Sequence, residues 1–218
     1  MQLTTTEENY IKAIFHRSTD GEGNVSTNAI AEAVNSTAAS VTDMLKKLKE
    51  KELIEYEKYK GVTLTAEGEA IAKMLVRKHR IWEVFLVDKL GYSWDQIHDI
   101  AEQLEHIKDK DLIDKLDKYL GYPKFDPHGD PIPDASGNMK AHKQQLLATL
   151  NKGDKGRVLG VKDSSAKFLQ YLDSMDLKLG TELKVEDVIE FDGSFMLSLS
   201  NKKKVTVSKL VTQNLFVG

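Results

Sequence analysis

The stretch Thr27-Asn28-Ala29-Ile30-Ala31-Glu32-Ala33-Val34-Asn35-Ser36-Thr37-Ala38-Ala39-Ser40-Val41-Thr42 decides how the first third of this chain is read. Its spacing predicts a helix from Thr27 to Val34, a turn at Asn35-Ser36 and a second helix running to Lys51. The turn that opens the second helix is small and hydroxyl-rich. Thr27, Ser36, Thr37, Ala39, Ser40 and Thr42 can therefore come close to base edges and phosphates, and a helix N-terminus itself favours phosphate. Upstream, Glu7 to Arg17 places Tyr10, Ile11, Ile14 and Phe15 on one helical stripe, with Glu7 and Glu8 in the first turn. Downstream, Leu53 to Glu57 and Val62 to Thr65 alternate as strands around the basic tip Lys58-Tyr59-Lys60-Gly61. This order is that of a winged helix-turn-helix, with Lys46, Lys58 and Lys60 placed to touch the DNA backbone. A helical bundle with an incidental hairpin is the alternative.

Charge bears on that reading. Residues 1–75 carry nine Lys+Arg against twelve Asp+Glu, so a single copy should bind DNA weakly unless its lysines share one face. Four of them, Lys46, Lys47, Lys49 and Lys51, lie together. Over all 218 residues the formal charge is −3, with 40% apolar and 30% charged side chains, which excludes a polybasic coating protein and a disordered chain. There is no cysteine, so disulfide scaffolds, zinc ribbons, iron–sulfur clusters and thiol nucleophiles are excluded, and any transition metal must be held by nitrogen and oxygen. No apolar run reaches the ~18–20 residues of a membrane span, and no secretory leader is evident, so a cytoplasmic protein is expected.

Helical spacing continues through Ala66 to Leu90, Ser93 to Ile107 and Asp109 to Leu120. All four prolines then fall between Pro123 and Pro133, in an ordered loop or linker. Beyond a short helical or irregular piece at Ala141 to Leu150, the period changes. Arg157 to Val161, Glu182 to Glu190, Ser194 to Ser200 and Lys203 to Val207 read as strands, and only Ser164 to Met175 as helix. The expected division is a DNA-binding domain at 1–72, a helical domain at 73–140, a linker at 141–152 and a small β-barrel at 153–218. The fold class is mainly α with α+β parts.

Histidine and glutamate carry the chemistry. His79 and Glu83 are four apart on one predicted helix; His98, Glu102, Glu105 and His106 share a face of the next. If the two helices pack antiparallel, five or six nitrogen and oxygen donors converge. Carboxylates so placed would repel one another without a cation between them. A single such pair is more often a solvated helix face, but six residues on neighbouring helices point to a divalent metal such as Mn²⁺, Fe²⁺ or Zn²⁺. No His-Glu-x-x-His motif is present, and a di-iron carboxylate centre would need Glu-x-x-His on two helices. His16 reads as structural, and His128 and His142 as solvent-exposed linker residues.

Taken together, Tyr56-Glu57-Lys58-Tyr59-Lys60-Gly61-Val62-Thr63-Leu64-Thr65-Ala66-Glu67-Gly68, Arg77-Lys78-His79-Arg80 with Glu83, and His98-Asp99 with Ala101-Glu102, Glu105 and His106 resemble the diphtheria toxin repressor/manganese transport regulator family. These are bacterial metal-dependent transcriptional repressors. The Gly121-Tyr122-Pro123 to Pro133 stretch looks like the segment after the family's dimerisation helices, and the tail like its SH3-like (FeoA-like) domain. The resemblance implies up to two metal ions per subunit. An ancillary site would use His79, Glu83 and His98, completed by Asp163 from the barrel. A primary site would use Glu102, Glu105 and His106 with Asn9 from the first helix. Position 102 is cysteine in the iron-responsive branch and glutamate in the manganese-responsive one, so Glu102 favours Mn²⁺ over Fe²⁺. The chain departs from the pattern at Asn9, where relatives carry methionine or aspartate, and at Lys12, where the manganese branch carries a second carboxylate.

The expected function is a metal-gated repressor, not an enzyme, that binds double-stranded operator DNA as a homodimer. Apolar Ile81, Trp82, Val84, Phe85 and Leu86, with Leu112, Ile113 and Leu116, are candidates for its seam, and core packing within one subunit is the alternative for each. A metalloenzyme using the same His/Glu centre and a metal-independent winged-helix regulator are the competing readings.

Overall fold

The computed structural model describes residues 2–19, 23–57, 60–109, 111–140 and 143–218. It divides into two compact units: Met1–His79 with Glu102–Ile113 and Pro133–Asn138, and Arg80–Ala101 with Asp114–Ile132 and Met139–Gly218.

The first unit is a winged helix-turn-helix. Helices α1 (Thr5–Thr19), α2 (Thr27–Ala33) and α3 (Ala38–Glu50) lead into the hairpin β1 (Ile54–Glu57) and β2 (Gly61–Leu64), and α4 (Ala66–Asp88) begins in this unit. The stripe of α1 is buried as expected: Ile11 and Ile14 join Ile30, Val41, Leu45, Leu48, Leu53 and Val62 in one apolar core. Hydroxyls set the helix starts. Ser26 Oγ accepts the Ala29 N–H at 3.1 Å, and Thr37 Oγ1 accepts that of Ser40 at 3.2 Å. The second helix therefore begins after Thr37, directly behind the expected turn at Asn35-Ser36. Asn35 turns the chain between α2 and α3 with φ of 47°, a left-handed conformation that asparagine tolerates. Gly68 has a different necessity, because a Cβ there would lie 2.0 Å from the Leu53 carbonyl oxygen that α4 packs against. The wing pairs Ile54 with Leu64 and Glu57 with Gly61. Lys58, expected at its tip, and His142 lie outside the described residues.

Helix α5 spans only His98–Leu104, much shorter than the expected 93–107. Ser93 and Asp95 bond each other locally at 2.5 Å, and Gln96 N–H closes a turn on the Ser93 carbonyl at 3.0 Å. Glu105 and His106 lie in the turn that follows α5. Helix α6 (Leu112–Tyr119) starts where Asp109 Oδ1 accepts the Leu112 N–H at 2.8 Å.

In the second unit, β3 (Gln145–Leu146), β4 (Lys155–Val161), β5 (Glu182–Ile189), β6 (Ser194–Leu199), β7 (Lys204–Val207) and β8 (Leu215–Val217) form an antiparallel SH3-like sheet in the order β3-β8-β4-β5-β6-β7. Among its described residues, the piece expected to be helical or irregular holds β3 and a 3₁₀ turn at Leu147–Thr149. Helix α7 (Ala166–Ser174) covers the sheet with Phe168, Leu169 and Leu172, which pack with Val185, Leu197, Val207 and Trp94. The short α8 (Lys209–Thr212) and β8 have too few residues to show a period in the sequence.

Candidate metal centre

In the first unit, α1, His79 of α4, Glu102 of α5 and the turn after it bring acids, imidazoles and two ammonium groups together. Glu105 is fully buried. His79 Nδ1 lies 2.6 Å from Glu105 Oε2 and 3.6 Å from Glu102 Oε2, and one ligand atom from each of the three falls within 4.8 Å of the others. Lys12 Nζ sits 2.5 Å from Glu102 Oε2 and 2.6 Å from Glu105 Oε1. On the far side, Glu8 Oε2 meets His106 Nδ1 at 2.6 Å, and Lys108 also bonds the Glu8 carboxylate. One atom of each of two expected ligands, Asn9 Oδ1 and His106 Nε2, is buried without a hydrogen-bond partner. Burial, opposed only in part by Glu8 and Glu105, lowers the pKa of the adjoining Lys78. Sequence reasoning named Glu102, Glu105, His106, Asn9 and His79 but gave no role to Glu8; its signal was a second acid in the first turn beside Asn9.

A separate buried cluster occupies the second unit. Glu83, Asp126 and His128 each place a ligand atom within 4.8 Å of the others, and all three are buried. His128 Nε2 hydrogen-bonds the Trp94 carbonyl at 2.8 Å, and its ring stacks on Trp94 at 6.3 Å. Its Nδ1 faces Glu83 Oε1 at 3.6 Å. The linker histidine expected in solvent is thus 5% exposed. The cause is a tight turn: Asp126 Oδ1 accepts the N–H groups of His128 and Asp130, and Gly129 has φ of 91° with no room for a Cβ beside Leu159. Burial alone would depress the imidazole, but Glu83 beside it, with Asp126, carries its pKa up to about 9. Burial and the charges of Glu83 and Asp130 raise Asp126 to about 7, against the opposing Arg80.

The remaining expected residues are placed as follows. His98 is exposed, with Nδ1 3.9 Å from Glu83 Oε1. Asp163 is exposed and accepts the Ser165 N–H at 2.8 Å; no group of three grouped donors among the described residues includes it. Of the residues expected to meet DNA, Ser36, Thr37, Ala39, Ser40, Lys46 and Lys60 are exposed, and Thr27 and Thr42 are half-buried. Thr42 Oγ1 is spent on the Ala38 carbonyl at 2.9 Å. Part of the lysine group already has partners in the chain: on the surface Lys46 pairs with Asp43 and Lys49 bonds the Tyr56 carbonyl, and Lys51 bonds Glu7.

Residues 2–62 match the iron dependent repressor N-terminal DNA binding domain, 65–134 the iron dependent repressor metal binding and dimerisation domain, and 145–218 the FeoA domain. The HTH-type transcriptional regulator MntR of Oceanobacillus iheyensis is 33% identical over 149 residues, which are 68% of this chain and 99% of that protein. The diphtheria toxin repressor of Corynebacterium jeikeium is 31% identical over 60% of this chain, an alignment that spans about half of that protein (54%). Among solved structures, a manganese-dependent transcriptional repressor in complex with manganese superposes with a TM-score of 0.84 at 34% identity, covering 97% of this chain and 98% of its own. Among the described residues no helix is long and apolar enough to cross a membrane. These relatives are metal-dependent transcriptional repressors and not enzymes, and the chain belongs to their family, the iron dependent repressors.

Proposed function

We propose that this chain is a cytoplasmic repressor that binds operator DNA as a homodimer when loaded with Mn²⁺ or Fe²⁺, Mn²⁺ being favoured, and so controls metal-homeostasis genes. The observation that carries the reading is the pair of buried donors without partners, Asn9 Oδ1 and His106 Nε2. A buried polar atom left unsatisfied costs about 1–3 kcal/mol; both atoms are Lewis bases, and His106 Nε2 lies 3.8 Å from Glu105 Oε1, so the donor set fits a divalent cation. Asn9, Glu102, Glu105 and His106 form the primary site, to which His79 is adjacent through Glu105. The ancillary site takes His79, Glu83, His98 and Asp163. A bound divalent ion supplies positive charge that offsets Glu102 and Glu105. Glu8 holds His106 Nδ1 and leaves Nε2 as the donor. Asn9 ties α1, and with it the reading helix α3, to the Glu102–His106 turn. Two heads fixed in this way engage two half-sites together, through Thr27, Ser36, Thr37, Ala39, Ser40, Thr42, Lys46, Lys58 and Lys60. The division into DNA-binding (1–72), metal and dimerisation (73–140), linker (141–152) and FeoA-like (153–218) parts belongs to the same proposal.

The test is a selection of duplexes from a random pool in Mn²⁺, followed by band shifts. Wild-type protein should retain selected DNA only with metal, and Glu105→Ala/His106→Ala should lose the metal response while staying folded. Equal retention with and without metal would remove the reading.

A further inference from the structure

The seat between Glu102 and Glu105 is already held by a charge that the chain carries itself. Lys12 reaches it from α1, three residues beyond Asn9 and on the same helical face. Its Nζ lies 2.5 Å from Glu102 Oε2 and 2.6 and 2.8 Å from the two Glu105 oxygens. Lys12 is 9% exposed and Glu105 is fully buried, so solvent screens this contact little. Those oxygens are the ones that a metal in the primary site would take. A divalent ion and an ammonium cannot share them closely: both are cations, and their repulsion grows as the surroundings dry.

We propose that Lys12 is a resident competitor of the metal. Its ammonium stabilises the two carboxylates in the metal-free protein and leaves them when the ion enters, so that Lys12 sets the metal concentration at which the protein responds. The proposal rests on the metal reading above and adds a regulatory element to it. The lysine stem has four rotatable carbons, which lets the charge withdraw without moving α1. The α1 helix is thus tied to Glu102 and Glu105 before any metal arrives. Loading exchanges one tether, Lys12, for another, Asn9, and only the surplus of the second over the first appears as affinity.

Competition gives one substitution two effects of opposite sign. In Lys12→Met and Lys12→Gln, full-length and metal-free, the carboxylates lose their counter-charge, so Tm in chelator should fall. Mn²⁺, measured by the spin-resonance signal of the free ion, should bind at least ~10-fold more tightly, the scale of one charge removed beside a bound ion. Lys12→Arg, which keeps the charge, should stay near wild type. A purely structural lysine predicts weaker binding in the neutral variants. Unchanged or weaker Mn²⁺ affinity in folded Lys12→Met and Lys12→Gln overturns the proposal. If the neutral variants do not fold without metal, NMR of the wild-type Lys12 ammonium decides. Its protons should be protected from exchange in chelator and lose that protection when diamagnetic Cd²⁺ is added; protection that persists with Cd²⁺ bound overturns it. Wild-type protein that binds no Mn²⁺ would remove the metal reading and this proposal together, whereas wild-type binding with indifferent variants removes this proposal alone.

Discussion

His106 Nδ1 meets Glu8 Oε2 at 2.6 Å, whereas its buried Nε2, 3.8 Å from Glu105 Oε1, has no hydrogen-bond partner. A carboxylate on Nδ1 favours the tautomer whose Nε2 lone pair can reach a metal. Loss of such a supporting partner typically costs ~10–100-fold in metal affinity. Glu8→Gln should weaken Mn²⁺ binding by that amount in a titration while the circular dichroism of the metal-free protein stays native. Unaltered affinity would show that Glu8 serves only Lys108.

In the proposed primary site Asn9 offers a neutral amide, and a carboxylate there would add a third negative charge to those of Glu102 and Glu105. Asn9→Asp should tighten Mn²⁺ binding by at least ~10-fold, because a hard, charged oxygen suits that ion and meets it in a dry site. Calorimetric titration checks this, and a weaker Kd would take Asn9 out of the ligand set.

Lys46 on α3 and Lys60 in the wing are exposed. If each meets one phosphate, the double variant Lys46→Ala/Lys60→Ala should flatten the dependence of log affinity on log salt by about two, and weaken all sequences alike. Fluorescence anisotropy across a salt series reads the slope directly. A sequence-selective loss would mean that the two side chains read bases.

Leu45 is fully buried in the core that holds α1, α2, α3 and the wing together. Leu45→Ala should cost about 2–5 kcal/mol, whereas Thr37→Ala, which removes only the cap of α3, should cost about 1 kcal/mol. Urea unfolding of the metal-free protein gives both numbers, and the reverse order would contradict this account of the helix start.

Asp95 accepts from Ser93 and from Gln170 at 2.7 Å, and these hydrogen bonds hold its carboxyl below the usual value near 3.8. A depressed carboxylate contributes stability that is present above its unfolded pKa and lost as pH falls through its folded pKa. In an NMR titration the Asp95 carboxyl should titrate below 3.8, and Gln170→Ala should raise it towards that value. No rise would remove the Gln170 contribution.

Much of this molecule was legible in its residues, and the misses share a cause. The α1 stripe, the hydroxyl-rich turn at Thr37 and the alternation of Ile54–Glu57 against Gly61–Leu64 are local patterns, and the folded chain keeps them. Helix α5 is short because Ser93 and Asp95 bond each other and Trp94 enters the core beneath the sheet, a tertiary demand that helical spacing does not contain. His128 is buried for a similar reason. A Pro- and Gly-rich turn reads as exposed linker until Asp126 Oδ1 and the Trp94 carbonyl are brought to it from 2 and 34 positions away. Spacing gathered Glu102, Glu105 and His106 on one face. It could not show that Lys12, 90 and 93 residues distant, would sit between the two acids.

The most direct measurement is the affinity of full-length protein for a Mn²⁺-selected duplex, taken by anisotropy in Mn²⁺ and again in chelator, with Glu105→Ala/His106→Ala alongside. Wild-type affinity should fall by at least ~100-fold in chelator, a coupling of about 2.7 kcal/mol, and the double variant should bind equally weakly in both. Wild-type protein that holds the duplex as tightly in chelator as in Mn²⁺ would contradict metal gating.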